Sequence, residues 1–162
     1  MEIWDGYNEK EELIGLDLIR GEVIPRGVYH LVVEVLIQHV DGDYLLMQRD
    51  FNKAGWPGLY EASAGGSALK GEKPEQAIMR EAFEETGVAL TSLKLINKQI
   101  KHPTIFYSYL SVVDCSKDSV RFQEGETIAY KWLNQQDFVK FMSSEACIPT
   151  ARERLVLYLS EI

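Results

Sequence analysis

Apolar positions along this chain switch from strand-like runs to a helical period and back. Tyr29 to Gln38, YHLVVEVLIQ, is rich in β-branched residues and predicts a long strand. Asp41–Gly42 supplies a turn, and Tyr44 to Arg49, YLLMQR, predicts the returning strand of a hairpin. Asp50 to Tyr60, DFNKAGWPGLY, has turn residues without periodicity and predicts a loop; short strand pieces are expected near Glu61–Ala64 and Gly66–Leu69. From Pro74 the pattern EQAIMREAFEET is helical, with proline tolerated in the first turn and Gly87 suited to a left-handed cap. Lys73 is a poor N-cap, so the loop is expected to hold that first turn. Leu93–Lys98, Thr104–Val113 and Ile128–Leu133 predict further strands. Gln135–Ser143 predicts a helix, and Pro149 opens a last one, TARERLVLYLSEI, with Leu155 and Leu159 on one stripe.

This order predicts an α/β chain with a mixed central sheet covered by helices on both faces. Residues 1–27 read as an arm or hairpin, with Trp4 and Tyr7 to pack it down and Gly6, Gly21 and Gly27 as punctuation. No repeat or break in composition divides the 162 residues, so one domain is expected. No apolar run approaches the roughly 20 residues that a membrane span needs. MEIWDGYNEKEEL has neither a basic start nor a hydrophobic stretch, and Cys115 and Cys147 form no paired motif. A cytoplasmic protein with free, structural cysteines is the expectation. The formal charge of −8 argues against extended nucleic acid, which requires a positive groove. It leaves room for a small phosphorylated substrate, because a bound cation reverses the local sign.

The helix carries the chemistry. At about 100° per residue, Ile78, Met79, Ala82 and Phe83 share one side, and Glu81, Glu84 and Glu85 share another with Ala77 between them. The i, i+3, i+4 spacing lets three carboxylates converge. Like charges so close repel, and a divalent cation is the simplest reason to gather them. All-oxygen ligands suit Mg2+, or Mn2+. The three histidines, His30, His39 and His102, are scattered and have no zinc spacing. The plainer reading, a solvated acidic face, does not account for the glycine-rich loop, Glu72, Arg80 and Gly87 standing together around it.

Gly66, Glu72, Arg80–Glu81, Ala82, Glu84–Glu85, Gly87 and Val88 reproduce the signature of the Nudix hydrolases, which the chain therefore resembles. The resemblance implies an α/β/α sandwich and hydrolysis of a nucleoside diphosphate linked to another moiety, or of a related small diphosphate. It implies metal held by Glu81, Glu84 and Glu85 with the backbone carbonyl of Gly65. Arg80 would brace the carboxylates and Glu72 would support the loop. In many members a later glutamate activates water or joins the metals. Glu124 is the favoured occupant of that role here, ahead of Glu126, with Glu85 as an alternative base. Such proteins are commonly dimers, so a homodimer is compatible with the resemblance.

Arg49, Lys53, Trp56 and Tyr60 bracket the loop before the signature and are the candidate substrate contacts, with Arg20 and Arg26 as further basic residues. WDGYNEKEELIG, RGEVIPRGVYHLVV and NKAGWPGLYEASAGG also resemble the isopentenyl-diphosphate isomerase branch of the same superfamily. That branch implies a catalytic cysteine just before the signature, where this chain reads Glu61-Ala62-Ser63-Ala64-Gly65-Gly66, and a histidine at the Gly66 position. His30 matches one of its metal-binding histidines but also fits a strand residue hydrogen-bonded to a neighbour. Isomerisation and a catalytically silent nucleotide-binding module are the alternatives to hydrolysis.

Overall fold

A computed structural model describes residues 1–162. The chain opens with a hairpin, β1 (Ile3–Tyr7) antiparallel to β2 (Leu13–Ile19), which buries Trp4 and Leu18. This two-stranded piece packs beside β3 (His30–His39), with Tyr7 and Tyr29 exchanging backbone hydrogen bonds of 2.8 Å. β3 is the spine of a separate seven-stranded sheet.

β3 meets β4 (Tyr44–Arg49) only at the turn end, through Gln38 and Tyr44. The two strands then diverge, and β5 (Tyr60–Ala62) and β6 (Ala64–Ser67) fill the wedge, β5 on β4 and β6 on β3. Ser63 joins them at the split with a left-handed φ of 39°. Its buried hydroxyl donates to the Leu45 carbonyl and accepts the Ile37 N–H, both at 2.8 Å. The wedge carries Gly65 and Gly66 onto the sheet beside helix α1 (Pro74–Thr86). The order continues with β7 (Lys94–Lys101) and β8 (Thr104–Val113), and β8 runs parallel to β3 over its whole length. β9 (Thr127–Leu133) covers the other edge of β4.

Strand side chains alternate between faces. Leu31, Val33, Val35 and Ile37 pack with Ala77, Ile78 and Ala82 of α1. Leu36, Tyr44 and Leu46 pack on the opposite face with helices α2 (Gln135–Met142), α3 (Pro149–Arg154) and α4 (Val156–Glu161). The mixed sheet with helices on both faces is the α/β/α sandwich expected from the element order.

Two local expectations need correction. The apolar side assigned to α1 is only half buried: Ile78 and Ala82 are inside, whereas Met79 and Phe83 are 47% and 52% exposed. The helix docks instead on Ala77, Ile78, Ala82, Glu85 and Thr86, because the two alanines allow close approach to the sheet. The last helix is two short ones, broken at Leu155 (φ −95°, ψ 5°), which turns its fully buried side chain into the core.

Candidate active site

Two ends hold α1 in place. Gly87, at φ 72°, returns its N–H to the Phe83 carbonyl at 2.9 Å. At the start, the Gln76 side chain accepts the Lys73 N–H at 2.9 Å, which supplies the cap that Lys73 lacks. The loop before the helix is tied down by Glu72, which accepts the Leu69 N–H at 2.8 Å.

Arg80 joins that loop to the helix. Its guanidinium donates to both Glu72 oxygens, at 2.7 and 2.9 Å, and reaches Glu81 at 2.9 Å, Glu84 at 3.3 Å and the Ser67 carbonyl at 3.3 Å. The Arg80 contact holds the Glu72 carboxyl below its ordinary range, and Glu72 in turn raises Arg80 further above its own. Arg80 thus links the loop to two carboxylates of the helix, and Glu72 ties the loop backbone to the same guanidinium.

Glu85 has a different environment. It is buried, and its one hydrogen bond comes from the Gly65 N–H at 3.1 Å. Burial, then the nearby charges of Glu61, Glu81 and Glu126, push its pKa well above the usual carboxylate value. Burial also raises Glu81, against the pull of Arg80. Glu84 keeps a 45% exposed side chain and can turn toward a ligand. No three acidic, histidine or cysteine side chains form a ready-made cation cage, since Arg80 draws Glu81 and Glu84 to itself. The donor set nevertheless fits Mg2+: it is all oxygen, it is partly desolvated, and Glu85 has no cation of its own.

A cavity of about 510 Å³ opens over these residues. Five glutamates face four cationic side chains on its wall, and only three of its sixteen lining residues, Trp4, Val32 and Leu69, are hydrophobic. Arg49 and Lys53 lie on this wall. Arg49 pairs with Glu61 at 3.1 Å and donates to the Gly55 carbonyl at 2.9 Å; Lys53 pairs with Glu126. Arg20, paired with Glu2 at 2.7 Å, reaches the wall from the N-terminal hairpin, whereas Arg26 does not.

Three expected site residues lie elsewhere. Trp56 is 46% exposed on the outer loop. Tyr60 packs edge-on against Phe141, with Lys131 over its ring at 4.3 Å. Glu124 is exposed and off the cavity wall, whereas Glu126 and Gln123 line it. The cause is a tight turn in which the Glu126 N–H bonds the Gln123 carbonyl at 3.0 Å and Gly125 takes φ 77°. Gln123 and Glu126 at the ends of the turn face the cavity, and Glu124, beside Gly125 at its tip, is turned to solvent.

His30 stacks on Trp4 with centroids 4.4 Å apart and lies 3.3 Å from the Thr104 hydroxyl and 3.5 Å from that of Ser67. Burial lowers its pKa to about 4, which suits a neutral, hydrogen-bonded strand residue. Neither cysteine reaches the cavity: Cys147 is buried against Met142 on the far face, and Cys115 lies beyond the end of β8. The hairpin residues Glu2, Trp4 and Arg20 had no local signal as a group, because only long-range packing brings them to the site.

Residues 28–151 match the NUDIX domain family. An uncharacterized Nudix hydrolase of Listeria innocua is 47% identical over 154 residues, covering 92% of this chain and 89% of that protein. A second, from Listeria monocytogenes, is 47% identical over 90 residues; the match spans only 53% of its length. An isopentenyl-diphosphate Delta-isomerase of Salmonella heidelberg is 36% identical over 147 residues, covering 80% of this chain and 81% of the enzyme. Among solved structures, the DR0079 protein of Deinococcus radiodurans superimposes with a TM-score of 0.76 at 23% identity, over 97% of this chain and 99% of that one. A MutT protein of Methanosarcina mazei reaches 0.65 at 21% identity, over 82% and 94%. These two likenesses concern the fold.

Proposed function

The chain belongs to the NUDIX family, and from that premise we propose that it is a Mg2+-dependent hydrolase of a phosphoanhydride bond in a small, polar diphosphate compound. The observation that carries the reading is one cavity whose wall sets Glu81, Glu84 and Glu85, the last with no cation of its own, among the basic side chains of Arg49, Lys53 and Arg20. Glu81, Glu84 and Glu85, with the Gly65 carbonyl, would hold the cation. A cation bound there would neutralise diphosphate oxygens and lower the pKa of a water, which could then attack phosphorus as hydroxide.

The remaining work falls to the protein. Arg80 sets the positions of Glu81 and Glu84. Arg49 and Lys53 bind the outer phosphate oxygens, and Arg20 closes the wall from the hairpin, so residues 1–27 act with the rest of the chain as one domain. Attack by water forms a new P–O bond as the bridging P–O bond breaks, and the water's proton passes to the Glu126 carboxylate on its way to solvent. Glu126 takes the part that the resemblance suggested for Glu124.

The isomerase relatives offer a second reading, and the cavity argues against it. No cysteine lies on the wall, and Ser63, just before the glycines, is buried and committed to two backbone hydrogen bonds. With three hydrophobic lining residues, the cavity is poorly suited to an isoprenoid tail. The test is product identification after incubation with Mg2+ and a panel of phosphoanhydrides, isopentenyl diphosphate included, with Glu84→Gln in parallel. Cleavage that disappears in the variant supports hydrolysis. Isomerised isopentenyl diphosphate supports the relatives' chemistry, and tight binding without turnover points to a silent module.

A further inference from the structure

Each cation on the cavity wall is engaged by a carboxylate of the chain. Arg20 holds Glu2, Arg49 holds Glu61, and Arg80 holds Glu72 together with Glu81 and Glu84. Lys53 holds Glu126, which lines the same cavity as Glu81 and Glu85 and has no other ion pair.

The two backbones beneath this pair are fixed independently of it. The Asp50 N–H donates to the Glu126 carbonyl at 2.9 Å, and the Lys53 N–H donates to the Asp50 carbonyl at 3.1 Å. Arg49 continues the ladder against Thr127. The side chains can therefore exchange partners without moving their loops. An ammonium on a flexible stem is a mobile point charge, unlike the rigid fork of Arg49 on Glu61. A diphosphate arriving in the cavity brings more negative charge than one carboxylate and competes for Lys53.

Resting on the hydrolase reading above, we propose that Lys53 is a positioning residue that sequesters Glu126 in the substrate-free protein and surrenders it when a diphosphate binds. Lys53 then holds the phosphate oxygens, and the freed Glu126 carboxylate faces Glu81 and Glu85. The cation site reaches its full negative charge only with substrate present. Substrate and cation binding are thus coupled, and the coupling is reciprocal.

The experiment is Mn2+ titration of substrate-free wild type, Lys53→Met, Glu126→Gln and the double variant, with urea midpoints to verify folding. Lys53→Met is expected to tighten Mn2+ binding by roughly three- to tenfold, and that gain is expected to vanish in the Glu126→Gln background. Lys53→Arg, which keeps a cation on Glu126, should not tighten Mn2+ binding in the substrate-free protein. Lys53→Met should also raise KM for whichever phosphoanhydride is cleaved. Unchanged Mn2+ affinity in Lys53→Met would make the pair a mere strut and overturn the proposal. A gain that persists undiminished without Glu126 would be a general charge effect and overturn it equally. If wild type binds Mn2+ and cleaves substrate while either of these results appears, only the latch is lost. If wild type neither binds Mn2+ nor cleaves any phosphoanhydride, the hydrolase reading falls and the latch falls with it.

Discussion

Adding one methyl group at Gly66 and one at Gly65 should damage this protein in different ways. A Cβ at Gly66 would stand 2.4 Å from both Cδ and Oε1 of Glu81 and 2.7 Å from its Oε2. Ordinary contact is about 3.5 Å or more, so the carboxylate must withdraw by roughly 1 Å. It can, because it is the end of a flexible side chain. The withdrawal breaks its 2.9 Å bond to Arg80 but also returns a half-buried charge to water. Alanine in a strand recovers some backbone entropy, so the net stability change should stay within about 1 kcal/mol. Activity should fall on the order of 100-fold, since a displaced ligand costs at least what a lost supporting contact costs. At Gly65 the new Cβ would meet the Val33 carbonyl oxygen at 2.7 Å and the Glu34 Cα at 3.2 Å. That is backbone of the central strand and cannot step aside, so Gly65→Ala should cost about 2–3 kcal/mol. In a chain of this length that lowers Tm by roughly 5–10 °C. Urea unfolding followed by tryptophan fluorescence, beside hydrolysis rates and Mg2+ titration, separates the two effects. A Gly66→Ala protein with wild-type activity and Mg2+ dependence would refute the placement of Glu81, as would equal destabilisation by both substitutions.

Three further outcomes follow from the same geometry. Glu85→Gln retains an acceptor for the Gly65 N–H while removing a buried charge beside Glu61, so metal-free protein should gain about 1 kcal/mol and lose its hydrolysis. Melts with and without Mg2+ test this: wild type should be stabilised by the ion and the variant should not. Arg80→Lys removes the fork that binds both Glu72 oxygens, and should lower activity by about tenfold or more with a loss of roughly 1–2 kcal/mol; unchanged kinetics would remove Arg80 from its bracing role. His30 titrates near 4 when folded and near 6.5 when unfolded, so the unfolded chain binds more protons between those values. Stability from this group is complete above pH 6.5, is lost as pH falls toward 4, and amounts to at most about 3 kcal/mol. Urea midpoints at pH 7 and pH 5 should differ less in His30→Gln than in wild type.

Misreadings of the chain arose where one side chain's surroundings depend on a distant segment. The apolar side of α1 was legible, but its depth was not: Ala77 and Ala82 seat the helix on the sheet, which pulls Glu85 under and leaves Phe83 out. Trp56 and Tyr60 look like substrate contacts from their place in the loop. Tyr60 is claimed by Phe141 of a helix some eighty residues later, and Trp56 is left at the surface. Glu124 and Glu126 are equivalent in sequence until Gly125 adopts its left-handed turn and Arg49 pairs with Thr127, which turns Glu126 inward.

What the sequence determined by itself is whatever short-range geometry encodes: the strands and their order, the α1 helix with its Gly87 stop, and three carboxylates with their arginine brace. All of those site residues lie within two turns of one helix, where a fixed rotation per residue sets their mutual positions before any folding around them. Tertiary structure alone decided what stands opposite. Arg20 from the hairpin, Lys53 from a loop and Glu126 from the turn before β9 meet across the cavity because β6 wedges between β3 and β4, β9 pairs with β4, and the hairpin docks beside β3. Such meetings depend on strand register and docking over more than a hundred residues, and no local periodicity carries that information.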